Sequence, residues 1–312
     1  MKMKVSVIIP VYNAEKFLDK AARSALILEE VQEILLIEDG SNDNSLQICK
    51  NLAANSEKIK LIQHHDKGNH GAGATRNLGL ESATAEFIAF LDADDYYLPD
   101  RFETDKKLFE NPDIEGVFNA IGTEFLTEKG RLEFQEKFKT TQLTTVKKHA
   151  EGKDVFYGLL GLDNSFGNFF HLNGLTVRTV SITLNGLRFN ESLRVHQDSD
   201  FIIKLSYHCN LKSGNISEAV AVRGVHDDNR ITKIKLYSDG YNKRQLLLWT
   251  SISDWADTKE LSPDYKRHIL LQKESFEISQ KTGLQKYFRI ASSVIRNPNI
   301  LKTRYRFTYL NK

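Results

Sequence analysis

Through the first 125 residues, short apolar and β-branched runs alternate with longer stretches in which apolar side chains recur every three or four positions. Continuous or alternating apolar runs mark strands and a period near 3.6 marks an amphipathic helix, so the pattern predicts βαβ units feeding a mostly parallel sheet. Strands are expected at 5–11 ("VSVIIPV"), 33–39 ("EILLIED"), 58–64 ("KIKLIQH"), 86–92 ("EFIAFLD") and 116–122 ("GVFNAIG"). Between the first two, Phe17, Leu18, Ala21, Ala22, Ala25 and Leu26 fall at helical spacing, with Asn13 as the expected N-cap. Ser41 is the expected cap of a helix reaching Ala54; "GNHGAGATRNLGLESA" opens on glycines and continues as a helix, and "LPDRFETDKKLF" supplies the next. No internal repeat is visible. The fold class is α/β.

Composition changes this picture in two places. A chain of 312 residues, 40% hydrophobic, has enough apolar material for one large or two modest cores. Its two cysteines, Cys49 and Cys209, make no disulfide framework or metal site, and the N-terminal pattern reads as a strand rather than a leader, so a reducing cytoplasm is expected. No apolar run approaches the roughly 20 residues that span a bilayer, so any membrane contact is expected to be peripheral. The net charge of +2 hides an asymmetry: from Leu236 onward, 14 Lys plus Arg face 7 Asp plus Glu, leaving −5 on the preceding residues. Residues 281–312 carry 8 basic side chains and no acidic ones, interleaved with Tyr287, Phe288, Tyr305, Phe307 and Tyr309. That composition suits an anionic membrane surface, and it equally suits a solvated helical face.

Candidate chemistry gathers where the strands end, which is where open α/β sheets bind ligands. The first strand runs into Val11, Tyr12 and Asn13, the second into Glu38 and Asp39, and the fourth into Asp92, Ala93, Asp94 and Asp95. If the chain stays extended through Asp92, then Asp92 and Asp94 share one face and Asp95 takes the other. Two carboxylates on one face suit Mn²⁺ or Mg²⁺ with phosphate oxygens in the remaining positions, while a bare Asp-x-Asp is also a common turn former.

Four stretches, "VSVIIPVYNAEKFL", "EILLIEDGSNDNS", "GNHGAGATRNLGLESATAEFIAFLDADD" and "GLRFNESLRVHQDSDF", together resemble in order and spacing the inverting family 2 glycosyltransferases of GT-A fold. The resemblance covers about residues 4–235. It implies that Val11, Tyr12, Asn13 and Asp39 hold the nucleotide base and ribose, and that Arg76 and Asn77 face the donor. It further implies that the Asp92-Ala93-Asp94 motif meets ribose and metal, with Asp94 as ligand and Asp92 on the ribose or a metal-bound water. Asp198 stands at the position of the general base, with Asp200 as competitor, although Gln197 replaces an acidic neighbour common in the family. His226, in "VRGVHDDN", matches a late histidine that completes the metal shell or touches phosphate. Glu38 departs from the family's second aspartate.

The implied activity is transfer of a hexosyl or N-acetylhexosaminyl group from a UDP-sugar to a glycan or lipid-linked glycan hydroxyl, with no nucleic acid partner. The expected setting is polysaccharide or lipopolysaccharide synthesis in the cytoplasm, on the inner face of the membrane. The expected organisation is a GT-A domain at 1–235, divided into a nucleotide-sugar half (1–125) and an acceptor half (126–235), followed by a basic helical extension at 236–312. Two alternatives remain at the level of sequence: a nucleotidyltransferase with a similar sheet, which "PVYNAEKFL" disfavours because it lacks a glycine-rich phosphate loop, and a non-catalytic nucleotide-sugar binder.

Overall fold

The computed structural model describes residues 3–138, 143, 146–167, 169–227, 236–303 and 305–310. Contacts divide the chain into two units, residues 1–194 with 201–228, and residues 195–200 with 229–312.

In the first unit, β1 (Val5–Val11), β2 (Val31–Glu38), β3 (Ile59–Gln63), β4 (Phe87–Phe90), β6 (Gly116–Phe118), β8 (Leu175–Arg178) and β9 (Leu211–Ser213) form one sheet in the order β3-β2-β1-β4-β8-β6-β9. The β3-β2-β1-β4 portion is parallel, and β8 runs antiparallel to both its neighbours. A second sheet has the order β5-β10-β7, built from β5 (Asp95–Tyr97), β7 (Ala120–Phe125) and β10 (Ala219–Val225). Helices cover the parallel strands, which explains why β1 and β2 read as nearly unbroken apolar runs rather than alternating ones. α1 (Leu18–Leu26) buries Leu18, Ala21, Ala22 and Ala25 at the expected period. α2 (Ser45–Asn55) and α3 (Ala72–Ser82) complete the βαβ units. α3 packs so closely on β1 that a Cβ at Gly79 would lie 2.5 Å from Ile8 Cγ2.

Three local expectations are corrected. The stretch 116–122 is two strands in different sheets, because Asn119 between them is fully buried and turns its amide into a polar network. Its Nδ2 donates to Asp105 at 2.8 Å and its Oδ1 accepts from the Asn215 amide at 2.7 Å, which interrupts the ladder. Asn13 does not cap α1; it sits at φ 49° and accepts from the Asn42 amide, while Ser41 accepts from the Asn13 amide. Neither caps a helix, because each satisfies the other's loop. The fourth strand ends at Phe90; Asp92 and Asp94 lie in the turn beyond it, and Asp95 opens β5.

The second unit is helical, with helices at Asp239–Asp257, Pro263–Ser279 and Gly283–Arg296. Ser238 and Ser262 cap the first two. Trp249 and Phe276 pack against Tyr305, and Leu271, Ile278, Ile300 and Tyr309 form a small core. The basic tail is therefore less available than its composition suggests: Lys286 and Tyr309 are buried, Tyr305 is half-buried, and the Phe307 side chain falls outside the described residues. Among the described residues no helix is long and apolar enough to cross a membrane.

A buried carboxylate ties the sheet to the segment between α3 and β4. Glu33 accepts from Ser6 Oγ (2.6 Å), Lys60 Nζ (2.6 Å), Thr84 Oγ1 (2.8 Å) and the Thr84 amide (2.7 Å). Burial alone would raise its pKa, but these donors outweigh burial and hold it at about 2 against an ordinary 4.5. A depressed folded-state pKa contributes stability above the unfolded value and loses it as pH falls through the folded one. Glu33→Gln is therefore expected to be less stable at pH 7 by about 1–3 kcal/mol, with a shallower loss of stability than wild type between about pH 4.5 and 2. Denaturant titrations across that range check both.

Candidate active site

The C-terminal edge of the parallel strands gathers most of the residues that the sequence singled out. Val11 is buried and its carbonyl accepts from the Asp39 amide at 2.9 Å, while Tyr12 is exposed beside Asn13. Asp39 is itself buried, and its carboxylate organises the loop before α3. It accepts from the His70 amide (2.7 Å), the Gly71 amide (2.9 Å) and Asn69 Nδ2 (2.9 Å), and His64 Nε2 lies 3.5 Å away. Gly71 adopts φ 86°, and a Cβ there would lie 2.3 Å from Arg194 Nη1. Its glycine serves both the turn and the approach of that guanidinium.

The aspartates after β4 do not continue as an extended chain. The Asp95 amide donates to the Asp92 carbonyl at 3.0 Å, closing a turn that draws Asp92 and Asp95 together. Asp92 Oδ1 receives Arg76 Nη2 at 2.6 Å, and its Oδ2 lies 3.9 Å from His171 Nε2. Burial alone would raise Asp92; Arg76, then His171 and Arg223, outweigh it and hold Asp92 below the usual carboxylate range. Asp95 goes the other way, since burial and the charges of Asp94 and Asp92 push it well above that range. It is braced by Asn173 Nδ2 at 2.5 Å and the Gly224 amide at 3.0 Å. Asp94 points to a second imidazole, His226 Nε2 at 3.4 Å, whose ring packs on Phe17 at 4.6 Å. A cavity of about 210 Å³ opens beside Asp94, with Lys16, Phe17, Tyr96 and Glu124 in its wall. A larger hollow, about 410 Å³, lies by Glu86, Arg178 and Thr183 and includes none of these groups.

Two residues expected to face the donor have partners within the chain. Arg76 Nη2 donates to Asp92, and among the described residues its buried Nε has no acceptor. Both ends of the Asn77 amide are engaged by the segment after it in space: Nδ2 donates to the Phe189 carbonyl and Glu191, and Oδ1 accepts from the Phe189 amide. In the second unit, Asp198 lies in the first turn of the helix Gln197–His208 and accepts from the Ser199 amide at 2.8 Å. Asp200 is fully buried and accepts from Ser251 Oγ at 2.6 Å.

A cation fits this cluster. Asp92, Asp95 and His171 place ligand atoms within 4.8 Å of one another, and Asp94 with His226 offers a second carboxylate–imidazole pair. Carboxylate oxygens suit Mn²⁺ and Mg²⁺, and an imidazole beside them suits the softer of the two, Mn²⁺. Burial first, and then the charges of Asp94 and Asp92, raise Asp95.

The sequence profile of glycosyl transferase family 2 matches residues 6–160, the stretch that builds this edge. The chain belongs to glycosyl transferase family 2. An uncharacterised glycosyltransferase of Rickettsia conorii is 39% identical over 129 residues, 41% of this chain and 20% of that protein. The minor teichoic acid biosynthesis protein GgaA of Bacillus subtilis is 30% identical over 212 residues, 64% of this chain and 42% of its own length. The chain thus spans well under two thirds of these curated relatives. Among solved structures, S. aureus TarS 1–349 in complex with UDP-GlcNAc superposes with a TM-score of 0.63 at 18% identity, covering 98% of this chain and 87% of that one. The chain has a GT-A fold, a mostly parallel sheet flanked by helices, with a helical C-terminal region.

Spacing did not reveal His171, Asn173 or Arg223. The Asn-Gly of "HLNGLTVR" signals a turn before β8, but nothing in it says that the turn inserts between Asp92 and Asp95. Asn173 accepts from the Asp92 amide at 3.1 Å while donating to Asp95. Asn173→Ala is expected to lower stability by about 1–3 kcal/mol by leaving Asp95 short of a donor. Urea denaturation checks the loss, and an unchanged midpoint contradicts it.

Proposed function

We propose that the chain is a metal-dependent, inverting glycosyltransferase moving a hexosyl or N-acetylhexosaminyl group from a UDP-sugar to a hydroxyl of a glycan or lipid-linked glycan. The observation that carries this reading is the carboxylate turn after β4, flanked by two imidazoles and Arg76 at the ends of the parallel strands. The UDP-GlcNAc bound to TarS supports a UDP-linked donor, and the name of GgaA, a minor teichoic acid biosynthesis protein, supports a role in polysaccharide assembly. The proposed setting is the cytoplasmic side of the membrane. Residues 1–235 are taken as the transferase domain and 236–312 as its extension.

In this reading Val11, Tyr12 and Asn13 flank the base, and Asp39 accepts from the uracil N–H with capacity left beyond its three internal donors. Asp92 and the Ala93 backbone lie along the ribose, and the partnerless Nε–H of Arg76 suits a phosphate oxygen. Asn77 acts by holding the Phe189–Glu191 segment. Asp94, with Asp92 and His226, would hold Mn²⁺ or Mg²⁺, which offsets the charge of the departing diphosphate. Asp198 takes the proton of the acceptor hydroxyl as its oxygen bonds to C1 and the bond from C1 to UDP breaks, so an α-linked donor yields a β-glycoside. Asp200 stays a brace.

The test separates binding from chemistry. Asp94→Ala is expected to weaken Mn²⁺-dependent UDP binding, whereas Asp198→Asn keeps UDP affinity and loses about 10² to 10⁴ in transfer rate. Calorimetry and UDP-release assays read the two, and equal loss of affinity in both variants rejects the division of roles. Wild-type protein that binds UDP-sugars without any turnover to a supplied acceptor would instead support a binding protein. Asp39→Ala is expected to weaken UDP binding by about 1.5–3 kcal/mol even with EDTA present. An unchanged metal-free Kd removes Asp39 from the base site.

A further inference from the structure

The helix Gly283–Arg296 is amphipathic in the wrong sense for a helix whose surroundings are only this chain and water. Its inward face carries Lys286 and Ser293, both buried, with Ser293 Oγ donating to Glu274 at 2.6 Å; Ile290 and Val294 add partial packing. Its outward face carries Leu284, Tyr287, Phe288 and Ile295, which are 75%, 66%, 74% and 84% exposed. These four recur at intervals of three, one and seven, which places them along one stripe of the helix. Single exposed apolar residues are ordinary, but a contiguous stripe with two aromatics marks a surface that something covers.

We propose that this stripe is a docking surface for an anionic lipid bilayer, with the helix lying in the headgroup layer. Charge complementarity selects the occupant: residues 281–312 contain eight Lys and Arg and no Asp or Glu. Not all eight contribute, since Lys286 is buried and Arg289 and Arg296 pair with Glu277 and Glu274 at 3.4 and 3.2 Å. Lys281 and Lys302 remain exposed beyond the two ends of the helix. Docking is therefore driven by apolar insertion, with lysines selecting anionic headgroups. The inference rests on the transferase reading only for its purpose, which is to bring the chain to the plane of a lipid-linked acceptor.

Co-sedimentation of the full chain with vesicles tests it. Binding is expected to vesicles containing phosphatidylglycerol and to be much weaker with phosphatidylcholine alone. Phe288→Ser combined with Ile295→Ser is expected to lower partitioning at least about tenfold, and Lys281→Gln combined with Lys302→Gln about tenfold with a flatter salt dependence. Calorimetric UDP binding should be the same in wild type and both double variants, so failure here is distinguishable from failure of the transferase reading. The proposal is overturned if wild type does not sediment with anionic vesicles, or if the serine variant sediments equally. It is also overturned if light scattering finds a wild-type dimer that the serine variant converts to monomer, which would assign the stripe to a second copy.

Discussion

Three carboxylates within four positions must share one turn at the end of β4, and the first unit is arranged around that charge. Two like charges 4 Å apart repel by about 4 kcal/mol even at an effective dielectric near 20. The chain answers with Arg76 from α3, Arg223 from β10 and His171 from the turn before β8, each from a different part of the sequence. The result is graded rather than neutral. Asp92 is held ionised by its cationic neighbours, while Asp95 behind it is pushed toward protonation.

The turn before β8 can insert there because it stands on a buried polar base. Arg101 is fully buried and donates to the carbonyls of Asn173 and Leu175 at 2.9 and 3.0 Å and to Asp105 at 2.9 Å. Asp105 in turn accepts from Thr176 and Asn119. Every oxygen of this buried carboxylate has a donor, which is what makes an interior ion pair tolerable. The same Asn119 that splits the expected strand at 116–122 thus fixes the height of the turn carrying His171 and Asn173. What looks like a defect in the strand pattern is part of the support for the site.

The parallel strands and their helices were legible because an apolar run covered on both faces leaves an unmistakable pattern; the register of four motifs singled out Arg76, Asp92 and Asp94, and the later stretch "VRGVHDDN" singled out His226. Asn119, His171 and Asn173 were not legible. Their roles depend on contacts across more than 50 residues of chain, for example Asn119 to Asn215 and Asn173 to Asp95, and periodicity carries no such information. Asn13 and Ser41 were read as caps from residue type alone, whereas each is used by the other's loop. The tail shows the same limit. A count of its charges and aromatics pointed outward, but packing takes Lys286, Tyr305 and Tyr309 inward and leaves Leu284 and Ile295, which the count had passed over, on the surface.

The choice between Asp198 and Asp200 turns on the same distinction between residue type and environment. Both are acidic residues in the first turn of one helix, where the helix dipole favours ionised carboxylates. Asp200 is fully buried and bonded to Ser251 within the helical unit, so moving a proton to it would disturb a contact that holds that unit together. Asp198 is half-buried and bonded to the backbone of its own turn, through the Ser199 amide. His196, just ahead of it, adopts φ 66°, an uncommon conformation for a residue with a Cβ, and its ring meets Gln245 at 3.2 Å. Such local strain is retained where surrounding contacts fix the backbone, and here it fixes the entry into the helix turn that presents Asp198. In the proposed reaction the base must keep a lone pair accessible and return to the same place after each proton it takes, and of the two carboxylates the half-buried Asp198 suits that role better than the fully buried Asp200.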